Sequence, residues 1–219
     1  MSIEAAEVVR SSTAERAANW LRSRITEGYF KPGDQLSEKE LCAELRISRN
    51  SLREAFQILT LERLLSYEQY RGVSVRSLSA QDVTDLYRVR TVIECGAVSA
   101  ADSDVDLDRV AVAVAEGERA GARADWQGLA TANIHFHQAL VALAGSARLA
   151  DLMRGILAEL RLVFHKMTDI RRFHEPYLAR NRDILALLRA GDREAAVDSL
   201  RDYLVIAERQ LVDEFTRAG

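Results

Sequence analysis

From Ser79 onward the chain carries apolar residues at helical spacing without a strand signal, broken at Gly121, Gly145 and Gly191-Asp192. This pattern constrains the fold more than any other feature. An amphipathic helix has to bury its apolar stripe, and with no sheet to receive it the partners must be other helices. Ser79-Ala80-Gln81-Asp82 reads as the capped start of a long helix to about Ala101, and further helices fit 106–121, 124–145, 147–171, 175–190 and 192–217. Composition agrees: two prolines and 6 % aromatic residues suit long helices, and 48 % hydrophobic residues suffice for a substantial core. The expectation is a mostly α protein in which residues 79–217 form an all-α antiparallel helical bundle.

The N-terminal part follows a different pattern. Ser12-Thr13-Ala14-Glu15 is a capping-box sequence, and Ala17, Ala18, Leu21 and Ile25 continue a helix to Gly28. After the Pro32-Gly33 turn signal, Ser37-Glu38-Lys39-Glu40 starts a short helix through Leu45, and Ser48 can cap a third helix, SRNSLREAFQILTLER. Ala55, Ile58, Leu59 and Leu61 are its expected anchors. The tight Arg46-Ile47 connection makes the second and third helices a helix-turn-helix. LLSYEQYRGVSVRS, with β-branched and aromatic residues on both sides of Arg71-Gly72, reads as a hairpin and completes a winged helix-turn-helix over residues 10–78.

Net charge is −3, which gives no global argument for nucleic-acid binding, but the charge is unevenly placed. Residues 10–76 hold twelve Lys/Arg against nine Asp/Glu. Ser48, Arg49, Asn50, Ser51 and Arg53 crowd the first turns of the third helix, where free amides and the positive dipole end already favour anions. Such a tip suits phosphates, and its side chains can reach base edges in the major groove. The bland alternative for Arg49 and Arg53 is pairing with nearby Glu on a solvated face.

The stretch GYFKPGDQLSEKELCAELRISRNSLREAFQILTLE resembles the winged helix of the GntR family. The family pattern falls on Gly28, Pro32, Gly33, Leu36, Glu38, Ser48, Arg49, Arg53, Glu54 and Ala55. This resemblance implies a DNA-binding transcriptional regulator in which Lys39, Arg49 and Arg53 contact DNA and the wing tip at Arg71-Gly72 reaches the minor groove. Ser48, Asn50 and Ser51 complete the expected DNA-binding set. Leu64 departs from the pattern, because the family usually closes this helix with Gly, and the helix end is therefore expected to be built differently. One winged helix reads few base pairs, so a homodimer on a pseudo-palindromic double-stranded operator is expected.

LYRVRTVIECGAVSAA, with Arg90, Glu94 and Ala97 at pattern positions, resembles the opening helix of the FadR-type C-terminal domain, and FHQAL, Gly145 and ILALLRAGDREAAVDSL continue the resemblance. What this implies is an effector-binding bundle and a ligand-responsive regulator, in the usual case a repressor. Many members hold a divalent metal between an Asp, a His four residues on, and two further His. The matching positions here are Asn133, His137, Asn181 and Tyr203, so His137 alone is retained. Asn is a neutral donor and protonated Tyr a poor ligand, so no metal cofactor is expected; a metal-sensing regulator is the alternative. His165 and His174 lie off the pattern.

Two of the four histidines stand in TANIHFHQAL. Trp126, Ala130, Asn133, His137, Val141 and Ala144 form one helical stripe, while His135 lies about 200° round and should face solvent or another subunit. Asn181 shares a stripe with Ile184, Leu185 and Leu188, and Tyr203 with Ala196, Leu200, Ala207 and Leu211. Inward polar groups on three apolar stripes suggest a pocket in which Asn133, His137, Asn181 and Tyr203 hold a small organic effector or an ordered water, with Arg90 as partner of an effector carboxylate. A satisfied polar cluster is the competing reading. An enzyme is not expected: common nucleophile, phosphate-loop and zinc-protease motifs are missing, and no carboxylate lies near His137 in sequence to orient it. Cys42 and Cys95 suit a reducing compartment, and MSIEAAEVVR lacks an export signal, so a cytoplasmic protein without membrane contact is expected.

Overall fold

The computed structural model describes residues 12–102, 105–164, 167 and 169–218; the MSIEAAEVVR segment and His165 lie outside the described residues. The chain divides between Ser77 and Leu78 into two compact units. The first contains α1 (Thr13–Thr26), α2 (Glu38–Leu45), α3 (Arg49–Leu61), β1 (Leu65–Glu68) and β2 (Gly72–Val75). Ser12 and Glu15 form a reciprocal capping box at the start of α1, whose Leu21 and Ile25 are fully buried. α1 packs on α3, which buries Leu52, Ala55, Phe56 and Leu59. Leu61, an expected anchor, is instead 85 % exposed, because nine residues past Leu52 it has turned to the opposite face of the helix.

The end of α3 is built around an arginine. Arg63 takes the left-handed conformation with φ 58°. The Leu64 amide then donates to Leu59 O at 2.9 Å and the Arg63 amide to Thr60 O at 3.0 Å, the bond pair of a Schellman motif. Leu64, the position where a glycine was expected, is fully buried at the bend that leads into β1. Arg63→Gly removes the Cβ strain of the left-handed region and loses part of that gain to a looser unfolded chain. A net stabilisation of about 0.5–1 kcal/mol is expected in urea titrations; a destabilised variant would show that Arg63 makes an energetic contribution beyond its backbone.

The hairpin pairs Leu65 with Val75 and Glu68 with Gly72 in antiparallel register, and Gln35 bridges to Ser74. Gln69, Tyr70 and Arg71 form its turn, where Tyr70 (φ 70°) and Gly72 (φ 83°) supply positive φ.

The second unit is a helical bundle of α4 (Ala80–Ala100), α5 (Asp108–Ala122), α6 (Trp126–Ala142), α7 (Ala147–Phe164), α8 (Ile170–Arg189) and α9 (Arg193–Ala218). α4 packs on α9, α6 and α7, and α8 on α6, α5 and α9. Two boundaries differ from expectation. α7 stops at Phe164 rather than near 171, and α8 begins at Ile170 rather than 175, with Pro176 inside it. The Asp169 carboxylate accepts from the Arg172 amide and caps α8, and the stripe of Phe173, His174, Tyr177 and Asn181 is buried, which outweighs the lost proline amide. Among the described residues no helix is long and apolar enough to cross a membrane.

Candidate nucleic-acid interface and buried polar cluster

Ser48 fixes the start of α3. Its Oγ accepts from the Ser51 amide at 3.1 Å and lies 3.0 Å from Ser51 Oγ, leaving Arg49 and Asn50 exposed on the first turn. Neither of these side chains, nor exposed Lys39 on α2, has an ion pair or hydrogen bond among the described residues. Arg53 differs: Nε and Nη2 fork onto Glu38 at 3.0 and 3.2 Å, so two of the expected family positions bind each other. Arg71 at the wing tip lies 3.2 Å from Glu68, and Tyr70 beside it is 95 % exposed. The pairing anticipated as the bland alternative therefore holds for Arg53, and Arg49 remains open.

In the second unit, α4, α6, α8 and α9 each present polar groups to one interior position. Asn133 and His137 stand one turn apart on α6, Asn181 comes from α8 and Tyr203 from α9. Asn181 Nδ2 and the Tyr203 hydroxyl both donate to Asn133 Oδ1 at 2.9 Å, and Tyr203 Oη lies 3.1 Å from His137 Nε2. From α4, Glu94 Oε1 accepts from Arg90 Nε at 2.7 Å, and Glu94 Oε2 lies 2.6 Å from His137 Nδ1. The carboxylate missing near His137 in sequence is thus supplied from 43 residues away. Arg90, expected as an open effector partner, is 1 % exposed, bound to Glu94 and set over the Tyr87 ring.

The charges are coupled. Burial opposes ionisation of Glu94, yet the Arg90 guanidinium and His137 hold its carboxyl below the usual range. Burial pushes His137 down, with the Arg90 charge adding and Glu94 opposing. A neutral imidazole beside an ionised carboxylate carries its proton on Nδ1 and donates it to Glu94. The Tyr203 hydroxyl, held protonated by burial, then has one proton for two acceptors, His137 Nε2 and Asn133 Oδ1. Arg90 Nη2, Asn181 Oδ1 and both ring nitrogens of His174 are buried without a hydrogen-bond partner among the described residues. His135 is exposed and bonds Glu116 at 2.8 Å.

This donor set does not fit a divalent metal. Asn133 and Asn181 are neutral and bonded to each other, and Tyr203 keeps its proton. Among the described residues no group of three or more His, Cys, Asp or Glu is placed to hold an ion.

Two features escaped the sequence reading. Arg90 and Glu94 stand at i and i+4, a spacing that announces a helical ion pair. His174, Tyr177 and Asn181 share one face of α8, which would have put His174 in the core had the helix start been placed earlier. Burial, with the Arg161 charge adding to it, pushes His174 down to about 3. A histidine with a depressed folded pKa binds its proton better when unfolded, so its contribution is complete above about pH 6.5 and is lost as pH falls toward 3. Stability should fall by about 1.4 kcal/mol per pH unit through this residue alone. Urea titrations between pH 7.5 and 5, above the range where Glu94 gains its proton, should show a shallower slope in His174→Leu; an equal slope would exclude this residue as the source.

The comparisons with known proteins divide at the same place. The family described as bacterial regulatory proteins, gntR family, matches residues 13–75, and the FCD domain matches residues 85–205. The Nta operon transcriptional regulator of Aminobacter aminovorans is 32 % identical over 154 residues, covering 68 % of this chain and 73 % of that protein. The gluconate operon transcriptional repressor of Bacillus licheniformis is 40 % identical over 85 residues, 39 % of this chain and 35 % of that protein, so the chain spans only about a third of that relative's length. A crystal structure of a putative transcriptional regulator GntR from Rhodococcus sp. RHA1 is 48 % identical with a TM-score of 0.87, covering 91 % of this chain and 97 % of that one. These relatives are regulators rather than enzymes. With both domains matched in order, the chain belongs to the GntR family of bacterial regulatory proteins and carries an FCD domain behind its winged helix-turn-helix.

Proposed function

We propose that this protein is a cytoplasmic, ligand-responsive transcriptional repressor that binds a pseudo-palindromic operator as a homodimer and is modulated by a small organic effector in its FadR-type bundle. The observation that carries the reading is the start of α3, where a Ser48-capped turn holds Arg49 and Asn50 exposed and unpaired beside free helix amides. Lys39, Ser48 and Ser51 supply backbone contacts in this reading, Arg49 and Asn50 reach base edges, and Arg71-Gly72 enters the minor groove. Arg53 acts with Glu38: the fork orients the guanidinium and leaves Nη1 for a phosphate. Asn133, His137, Asn181, Tyr203 and Arg90 form the effector end, and binding there changes the freedom of the two winged helices in the dimer.

Selection of genomic fragments by the full-length protein, followed by footprinting, tests the reading. Two protected half-sites about one helical turn apart, bound by two chains, are expected; protection of a single asymmetric site by one chain would contradict it.

A further inference from the structure

Resting on the DNA-binding reading, we infer that Tyr70 is a specificity-determining residue whose ring enters the minor groove beside each half-site and favours A·T over G·C pairs there. Tyr70 and Gly72 both have positive φ at the tip of the hairpin, 70° and 83°. At Gly72 this is the ordinary arrangement, because glycine has no Cβ to clash. At Tyr70 it is not. The Arg71 amide donates to Glu68 O at 3.1 Å and closes a turn over Glu68–Arg71. Its third residue, at positive φ, is ordinarily glycine or asparagine, and a bulky side chain there is strained. Among the described residues nothing offsets that strain: the ring is 95 % exposed, the most of any large hydrophobic side chain, and has no hydrogen bond, ion pair or ring contact. An exposed aromatic held in a strained conformation is accounted for by what it meets outside the protein.

The chemistry of the tip selects the groove. Arg71 lies 3.2 Å from Glu68, which offsets its charge, so the tip has little net attraction for phosphates. A neutral ring with a polar end gains instead against the apolar edges of deoxyribose, while its hydroxyl stays in water or meets the acceptors on the groove floor. The minor groove is about 6 Å wide and admits a ring edge-on. A·T and T·A pairs present only acceptors on its floor, whereas G·C adds the guanine N2 amine, which projects into the groove and limits how deeply a ring can sit. Tyr70 therefore separates A·T from G·C and nothing finer, a coarser reading of sequence beside that of α3.

The test uses the full-length protein and the footprinted operator, with the pairs flanking each half-site built as A·T, G·C or inosine·C. Inosine lacks the N2 amine but keeps the major-groove face of guanine. The unaltered protein is expected to bind the A·T and inosine·C operators alike and the G·C operator about five- to tenfold more weakly per half-site. Tyr70→Gly should bind all three alike and unfold near the unaltered temperature, since it removes the left-handed strain while loosening the unfolded chain. Tyr70→Phe keeps the ring and should keep the discrimination. Equal binding of the three operators by the unaltered protein, or discrimination that survives in Tyr70→Gly and so belongs to Arg71 or to DNA shape, overturns the inference and leaves the DNA-binding reading standing. A Tyr70→Phe variant as indifferent as Tyr70→Gly overturns the role of the ring, and a marked loss of thermal stability in Tyr70→Gly overturns it by showing that the ring packs within the protein. No preference of the unaltered protein for the operator over a scrambled duplex overturns both readings.

Discussion

Glu94→Ala is expected to destabilise the bundle by about 3–5 kcal/mol, because it leaves the Arg90 guanidinium buried without its carboxylate. Glu94 is fully buried and joins two helices, with Arg90 Nε at 2.7 Å and His137 Nδ1 at 2.6 Å. Against the roughly 5–15 kcal/mol that holds a typical domain together, this loss takes a large share of the margin. The same argument predicts non-additivity. Arg90→Met/Glu94→Gln removes both charges and keeps an acceptor for His137, so it should recover most of the loss. Urea unfolding of the full-length single and double variants measures both effects. A Glu94→Ala loss below about 1 kcal/mol would place the pair among solvent-exposed bridges and contradict its burial.

The second large effect falls on DNA. Arg49→Ala is expected to weaken operator binding by about 5- to 150-fold per half-site, the equivalent of 1–3 kcal/mol for each arginine on a base edge. If the lost contact is to phosphate instead, binding weakens evenly across sequences and the salt slope falls by about one per half-site. Arg53→Ala should cost less than Arg49→Ala, since Arg53 shares its fork with Glu38 and is partly satisfied without DNA. Neither change touches the core of α3, which rests on Leu52, Ala55, Phe56 and Leu59, so thermal unfolding should remain near that of the unaltered protein.

The elements were readable where local chemistry specifies them. Ser12, Ser37, Ser48 and Ser79 cap four of the helices, and a capping bond depends only on residues two or three positions away. The hairpin register follows from Leu65 and Val75, both buried and paired. The start of α8 was not readable, because Pro176 signals a helix start while the packing of Phe173 and His174 extends the helix through it. Arg63 was likewise hidden: its left-handed φ is set by Leu64 turning inward, a tertiary demand that a glycine would have announced.

The polar cluster was half legible. Helical stripes located Asn133, His137, Asn181 and Tyr203 on inward faces, and the distances of 2.9–3.1 Å join them in one network. What the stripes could not show is which partners reach across helices. Glu94 on His137 and the fork of Arg53 on Glu38 are contacts between separate elements, with separations of 43 and 15 residues. The pairing of Arg90 with Glu94 and of Arg53 with Glu38 is the main addition made by the folded structure.

The most direct test of the DNA-binding assignment is the affinity of full-length protein and its Arg49→Ala variant for the footprinted operator, measured across a salt series with a scrambled duplex as control. Strong preference of the unaltered protein for the operator is predicted, together with loss of that preference in a variant that still unfolds at the unaltered temperature. Equal affinity of the two proteins for the operator would contradict the assignment of α3 as the element that reads DNA.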